Sequence, residues 1–167
     1  MSRITLIFIG MSLLLACGHS PSQTEKKEMQ DIKTVKTNAH VNISGTRIYI
    51  IPPAGFTISK SFAGLQNKSI LIQIQEFTGI VHKESTAAFS KKGYEARGIK
   101  IAAYSTLKVN GYLAEYTEVI EDGKNKQVSL IFGNDDFSAM IVASYPQEDV
   151  QMEQAVQETL QTLYLIN

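Results

Sequence analysis

The sequence predicts an α+β fold, an α/β/α sandwich with a central antiparallel sheet in a single domain, and three observations predict it. Between residues 101 and 145, β-rich runs follow one another across Asn110-Gly111, Asp122-Gly123 and Asn134-Asp135-Asp136, turn sequences that tolerate positive φ. The last run carries bulk on both faces, Phe137, Ala139, Ile141, Ala143 and Tyr145 alternating with Met140 and Val142. A sheet with one wet face would alternate more cleanly, so helices are expected on both. Beyond it, Met152, Ala155, Val156, Thr159, Leu160 and Leu163 recur at helical spacing and give a helix with one apolar face for the sheet.

Taken in order, the chain begins with Met1-Ser2-Arg3 and an apolar run from Ile4 to Leu15, closed by Ala16-Cys17-Gly18. One positive charge before a short apolar stretch is a secretory signal pattern. The stretch is shorter than the roughly 20 apolar residues of a spanning helix. Leu14-Leu15-Ala16-Cys17 resembles the lipobox of bacterial lipoproteins. That resemblance implies a signal peptide over residues 1–16, cleavage before Cys17, and a thioether-linked diacylglyceryl group on the Cys17 thiol. Further acylation of the new amino terminus follows from it, palmitate being among the expected chains. The competing reading is an ordinary signal peptide followed by a stray free cysteine. Gly18, where aspartate favours retention at the inner membrane, leans toward an outer-membrane anchor facing the periplasm.

Residues 17–40 are expected to form a lipidated flexible tether. They hold little apolar surface and no aromatic residue, too little to offset the entropy of ordering. Ile32 and Val35 suggest a short helical turn there. Lys26, Lys27, Lys33 and Lys36 suit a solvated linker or contact with anionic headgroups.

The domain is expected over residues 41–167. Thr46 to Ile51 is a β-branched and aromatic run stopped by Pro52-Pro53, Phe56 to Ser59 is a short second strand, and Ser69 to Phe77 places Ile70, Ile72 and Ile74 on one face. A helix is expected from Ser85 to Lys92, with Gly93 as a left-handed stop. Strands then run over 101–109, 112–120, 127–132 and 137–145. The last helix starts after Pro146, where Glu148 and Asp149 suit its positive end.

Ile51-Pro52-Pro53-Ala54-Gly55-Phe56, Val109-Asn110-Gly111-Tyr112-Leu113-Ala114, Phe132-Gly133 and Leu160-Gln161-Thr162-Leu163 occur in the order found in PsbP-like domains. The chain resembles that family over roughly residues 44 to 167. The family includes photosystem accessory subunits, a nuclear factor that binds the Ran GTPase, and bacterial lipoproteins. The resemblance implies the α/β/α sandwich, and a binding or accessory role rather than an enzyme. Its members' partners are too varied to transfer, and no functional residue carries over.

Composition narrows the chemistry. Sixteen basic residues balance sixteen acidic ones, without the basic excess of a general nucleic-acid binder. One cysteine rules out an internal disulfide framework and a multi-cysteine metal cluster. His19, His40 and His82 have no second ligand at metal spacing. There is no Gly-x-Ser-x-Gly, Ser-x-x-Lys, P-loop or dinucleotide fingerprint, so no catalytic residue, cofactor or metal is assigned. Asn134-Asp135-Asp136 has oxygen ligands for Ca²⁺, but Asn and Asp make turns for their own reasons. Glu115 and Glu118, three apart on a strand, face opposite ways and cannot work as a pair. The scattered tyrosines suit core packing.

Phe62 and Leu65 lie in an expected loop over 59–68 and form the candidate contact surface, provided they are exposed. The leading expectation is therefore a lipid-anchored envelope module that contacts a protein partner and performs no catalysis. A carrier of a small apolar or lipid ligand, and an envelope hydrolase, are the alternatives.

Overall fold

The structure, a computed structural model, describes residues 25–78 and 82–166. In chain order its elements are β1 (Glu25–Lys26), β2 (Val41–Asn42), β3 (Ile48–Ile50), β4 (Thr57–Ile58), β5 (Gly64–Gln66), β6 (Leu71–Thr78), α1 (His82–Ala87), α2 (Lys91–Ala96), β7 (Ile101–Val109), β8 (Tyr112–Glu121), β9 (Asn125–Gly133), β10 (Phe137–Pro146), α3 (Val150–Gln161) and β11 (Tyr164–Leu165). The main sheet has eight strands in the order β1-β7-β8-β9-β10-β6-β5-β4. Every pairing in it is antiparallel except that of β1 with β7. A second sheet, β11-β3-β2, closes one side of the core. The expected α+β fold is the one the chain adopts.

Strand alternation sorts the side chains onto two faces. Val128, Leu130 and Phe132 of β9 share one face with Ile141 and Ala143 of β10 and Ile72 and Ile74 of β6, and Ala155, Val156 and Leu160 of α3 join them in one core. Ser129 points the other way, its hydroxyl donating to the Phe89 carbonyl at 3.1 Å. On that second face Tyr94 of α2 packs with Ile101 and Val119 in a smaller cluster. Bulk on both faces of β10 is thus explained: α3 covers one and α1 with α2 the other.

The β7–β8 hairpin turns where expected. Asn110 and Gly111 hold φ of 49° and 94°, and Val109 pairs with Tyr112 across them. The C-terminal helix starts at Val150, capped by Asp149, whose carboxylate accepts from the Met152 N–H at 3.1 Å.

Two expectations need correction. The single helix over 85–92 is instead two short helices. Ser90 caps the second, its hydroxyl accepting from the Gly93 N–H at 3.1 Å. Gly93 is therefore inside α2 and not a left-handed stop. A Cβ there would lie 2.1 Å from the Ala87 carbonyl oxygen, so glycine lets α2 seat on the end of α1.

The second correction concerns the tether. From Glu25 onward the segment is a strap on the free edge of β7, not a mobile linker. Glu25 and Lys26 pair with Ala103 and Tyr104, and Ile32 bridges Val109 in extended form where a helical turn was expected. Ile32 is 1% exposed, and burying such a side chain contributes about 1.5–3 kcal/mol. Asp31 accepts from the Lys108 N–H at 2.8 Å and Asn110 from the Thr34 N–H at 3.0 Å. Farther along, Lys36 stacks 3.7 Å from the Tyr49 ring centroid, and buried His40 bonds the Thr162 carbonyl through Nε2 at 3.0 Å.

Candidate functional site

Two carboxylates among the described residues are largely covered, Glu76, paired with Arg47, and Glu118 beneath the strap, and the second sits in a wider network. On β8, Ala114, Tyr116 and Glu118 alternate onto the α3 face, so both polar side chains point into the core. Across from them on β7 stand Ser105 and Ala103, whose small side chains leave room for Lys27 to reach in from the strap. The Lys27 ammonium pairs with the Glu118 carboxylate and lies 5.2 Å from the Tyr116 ring centroid. Lys126 faces the other Glu118 oxygen at 3.7 Å and pairs with Glu153 of α3 at 3.0 Å.

Tyr116 closes the network. Its hydroxyl donates to Glu118 and accepts from Gln157 of α3 at 2.9 Å. The cluster therefore ties strap, sheet and helix together. Burial works against the Glu118 charge, but hydrogen bonds from Lys27 and Tyr116 and the charges of Lys27 and Lys126 outweigh it, holding the carboxyl below its ordinary range. Burial, reinforced by the neighbouring Glu118, pushes the Tyr116 phenol far above its usual value. Burial does the same to Tyr145, with help from Glu153 and Glu118. The Tyr145 hydroxyl and that of Thr117 are buried without a hydrogen-bond partner among the described residues.

General acid–base work needs a group poised near the operating pH. Glu118 is displaced below that range and Tyr116 above it, so neither exchanges a proton readily at neutrality. The arrangement is a clamp. Beside it the strap bows away from β7, leaving an open cleft of about 430 Å³ lined by Lys26, Lys27, Glu28, Met29, Gln30, Ser105 and Thr106.

The other candidate residues sit elsewhere. Cys17 and His19 lie outside the described residues. Phe62 is half-buried, while Leu65 is 0% exposed in β5, paired with Ile72 of β6 and Ile58 of β4. Within the 59–68 segment, Gly64–Gln66 form strand β5, so the segment is not an apolar loop throughout. Its Leu65 packs into the core and cannot serve as a contact residue. Asn134 accepts from the Asp136 and Phe137 N–H groups at 2.9 and 3.2 Å, so its oxygen is used by the turn. Among the described residues no three His, Cys, Asp or Glu side chains gather as metal ligands. Glu115 accepts from the Lys91 N–H on the α2 face, opposite Glu118 as the strand period requires.

Sequence reasoning missed the clamp. A signal was present: Glu118 shares its face with Tyr116 and Ala114 in a strand expected to be covered on both sides, and a carboxylate placed there demands a cation. Nothing in the sequence named Lys27, 91 residues away, as that cation.

Among solved structures, the solution structure of cyanobacterial PsbP (CyanoP) from Synechocystis sp. PCC 6803 superposes with a TM-score of 0.50 at 8% identity, covering 76% of this chain and 91% of that one. A crystal structure from Bacteroides thetaiotaomicron VPI-5482 superposes with a TM-score of 0.47 at 14% identity, covering 72% of this chain and 46% of that one. A scan of family models and a sequence search of curated proteins find no match. The chain has a PsbP-like fold, and at 8% identity the likeness is one of fold alone.

Proposed function

We propose that this protein is a lipid-anchored binding or accessory module of the bacterial envelope, held through acylated Cys17 at the outer membrane and facing the periplasm. The observation that carries the reading is a single cysteine at the end of a short apolar run, in the sequence Leu14-Leu15-Ala16-Cys17. Two acyl chains suffice for stable anchoring.

The closed clamp supports a non-catalytic role. Its charged groups pair within the chain, and Glu118 is shifted below and Tyr116 above their ordinary ranges, away from neutrality. Between the sheet and α3, Leu130, Ile141, Val156 and Leu160 are at most 1% exposed, which favours a binding surface over an interior ligand chamber. With Leu65 in the core, the partner contact narrows to the β4 edge of the sheet and half-buried Phe62.

A photo-crosslinking residue at position 62 in intact cells tests this. It should trap one envelope protein reproducibly, and Cys17→Ser should move the protein out of the membrane fraction and abolish the adduct. A Cys17→Ser protein that stays membrane-bound, or position-62 adducts no more defined than those from exposed Glu158, would contradict the reading.

A further inference from the structure

Sequence charge, strap geometry and the two-faced sheet combine in one inference, which rests on the Cys17 anchor proposed above. The chain is neutral overall but strongly divided. Residues 83–108, which contain α2 and β7, carry six basic residues against two acidic, whereas residues 147–167, which contain α3, carry four acidic residues and no basic one. The sheet separates these segments. Glu115 and Glu121 also lie on the α2 side, and Lys27 and Lys126 lie on the α3 side paired with Glu118 and Glu153, which leaves exposed lysines in excess on the α2 side and exposed Glu148 and Glu158 at α3.

The entry point of the chain lies on the side with the lysine excess. Lys26 pairs in register with Tyr104, whose ring lies 4.9 Å from the Lys91 ammonium of α2. Lys26, Lys92, Lys100 and Lys108 are exposed around this edge. Only seven residues separate Cys17 from Glu25, and a chain of that length reaches no farther than about 28 Å at full extension. The attraction of an anionic surface fades over about 8–10 Å at physiological salt. The short connection keeps the body within about 28 Å of the anchor, so its exposed lysines come within range of that attraction as the body turns.

We infer that the α2 face, with the β1–β7 edge, rests against the anionic headgroups of the bilayer that holds the anchor, while the α3 face points away. The β4 edge, at the other end of the sheet from β1, is then left clear for a protein partner.

The test uses the acylated full chain in vesicles of phosphatidylcholine with phosphatidylglycerol, with energy-acceptor dyes on the headgroups. With Cys17 acylated, Ala96→Cys on α2 and Glu158→Cys on α3, both at exposed positions, each supply one thiol for a donor dye. Transfer from position 96 should exceed that from position 158 at least about two-fold. The excess should disappear in about 0.5 M salt, where screening shortens to a few ångströms, and in the K92E/K100E/K108E variant. Equal transfer from both positions with the protein in the vesicle fraction would overturn the orientation while leaving the anchor standing. No transfer from either, with the protein in the supernatant, would overturn the anchor and this inference with it.

Discussion

Glu118→Ala is expected to lower stability by about 2–3 kcal/mol and to free the strap. Breaking a buried ion pair by deleting one partner costs about 3–5 kcal/mol when the survivor stays buried. Here the loss is smaller because Lys27, 32% exposed, can swing to water and Lys126 keeps Glu153. What remains is the loss of the acceptor for the buried Tyr116 hydroxyl and of the carboxylate that links strap to sheet and, through Tyr116 and Lys126, to α3. In a domain of this size a thermal midpoint lower by roughly 5–10 °C should follow, with faster proteolysis near residues 25–32 as the strap opens locally.

The same residue sets an acid limit. A carboxyl held below its unfolded value of 4.5 contributes stability that is present above that value and lost as pH falls through the folded one. Wild type should therefore lose stability below about pH 4.5 more steeply than Glu118→Gln, which has no proton to gain. A midpoint for Glu118→Ala within about 1 °C of wild type would show that the clamp holds nothing.

Gly64→Ala should be at least as damaging, for a backbone reason. Gly64 has φ of 147°, a conformation that L side chains rarely adopt, and an added Cβ would lie 2.0 Å from the Ile72 carbonyl oxygen and 3.1 Å from the Gln73 Cα. Both obstacles belong to the backbone of β6, so no side chain can turn aside to admit the methyl group. Strain of about 1–3 kcal/mol and overpacking of about 1–3 kcal/mol act together at this site. The change would push β5 off β6 and draw Leu65 from the core. Urea unfolding should show a loss of at least about 3 kcal/mol, or no folded protein. A loss below about 0.5 kcal/mol would mean that the close approach of Gly64 to β6 is absent in solution.

These two residues also mark how far the sequence could be read. The meander was legible because Asn110-Gly111 and Asp122-Gly123 encode their turns locally, and α3 because Ala155, Val156 and Leu160 repeat at the helical period. Both are short-range signals. Gly64 sits in a strand too short for alternation to register, so the segment around Phe62 and Leu65 read as a loop. The strap was misread for a related reason: its composition lacks the apolar density of a folded element. Ile32 and Lys27 dock it through contacts with Val109 and Glu118, which local pattern does not contain. The break between α1 and α2 turned on whether Ser90 caps a helix or lies within one, a choice made by the packing of Gly93 on Ala87.

The anchor is tested most directly at residue 17 itself. Mass spectrometry of the N-terminal peptide of the protein extracted from its native membrane should find Cys17 as the first residue, carrying a thioether-linked diacylglyceryl group. A peptide that still begins at Met1, or a Cys17 with a free thiol, would contradict the envelope assignment.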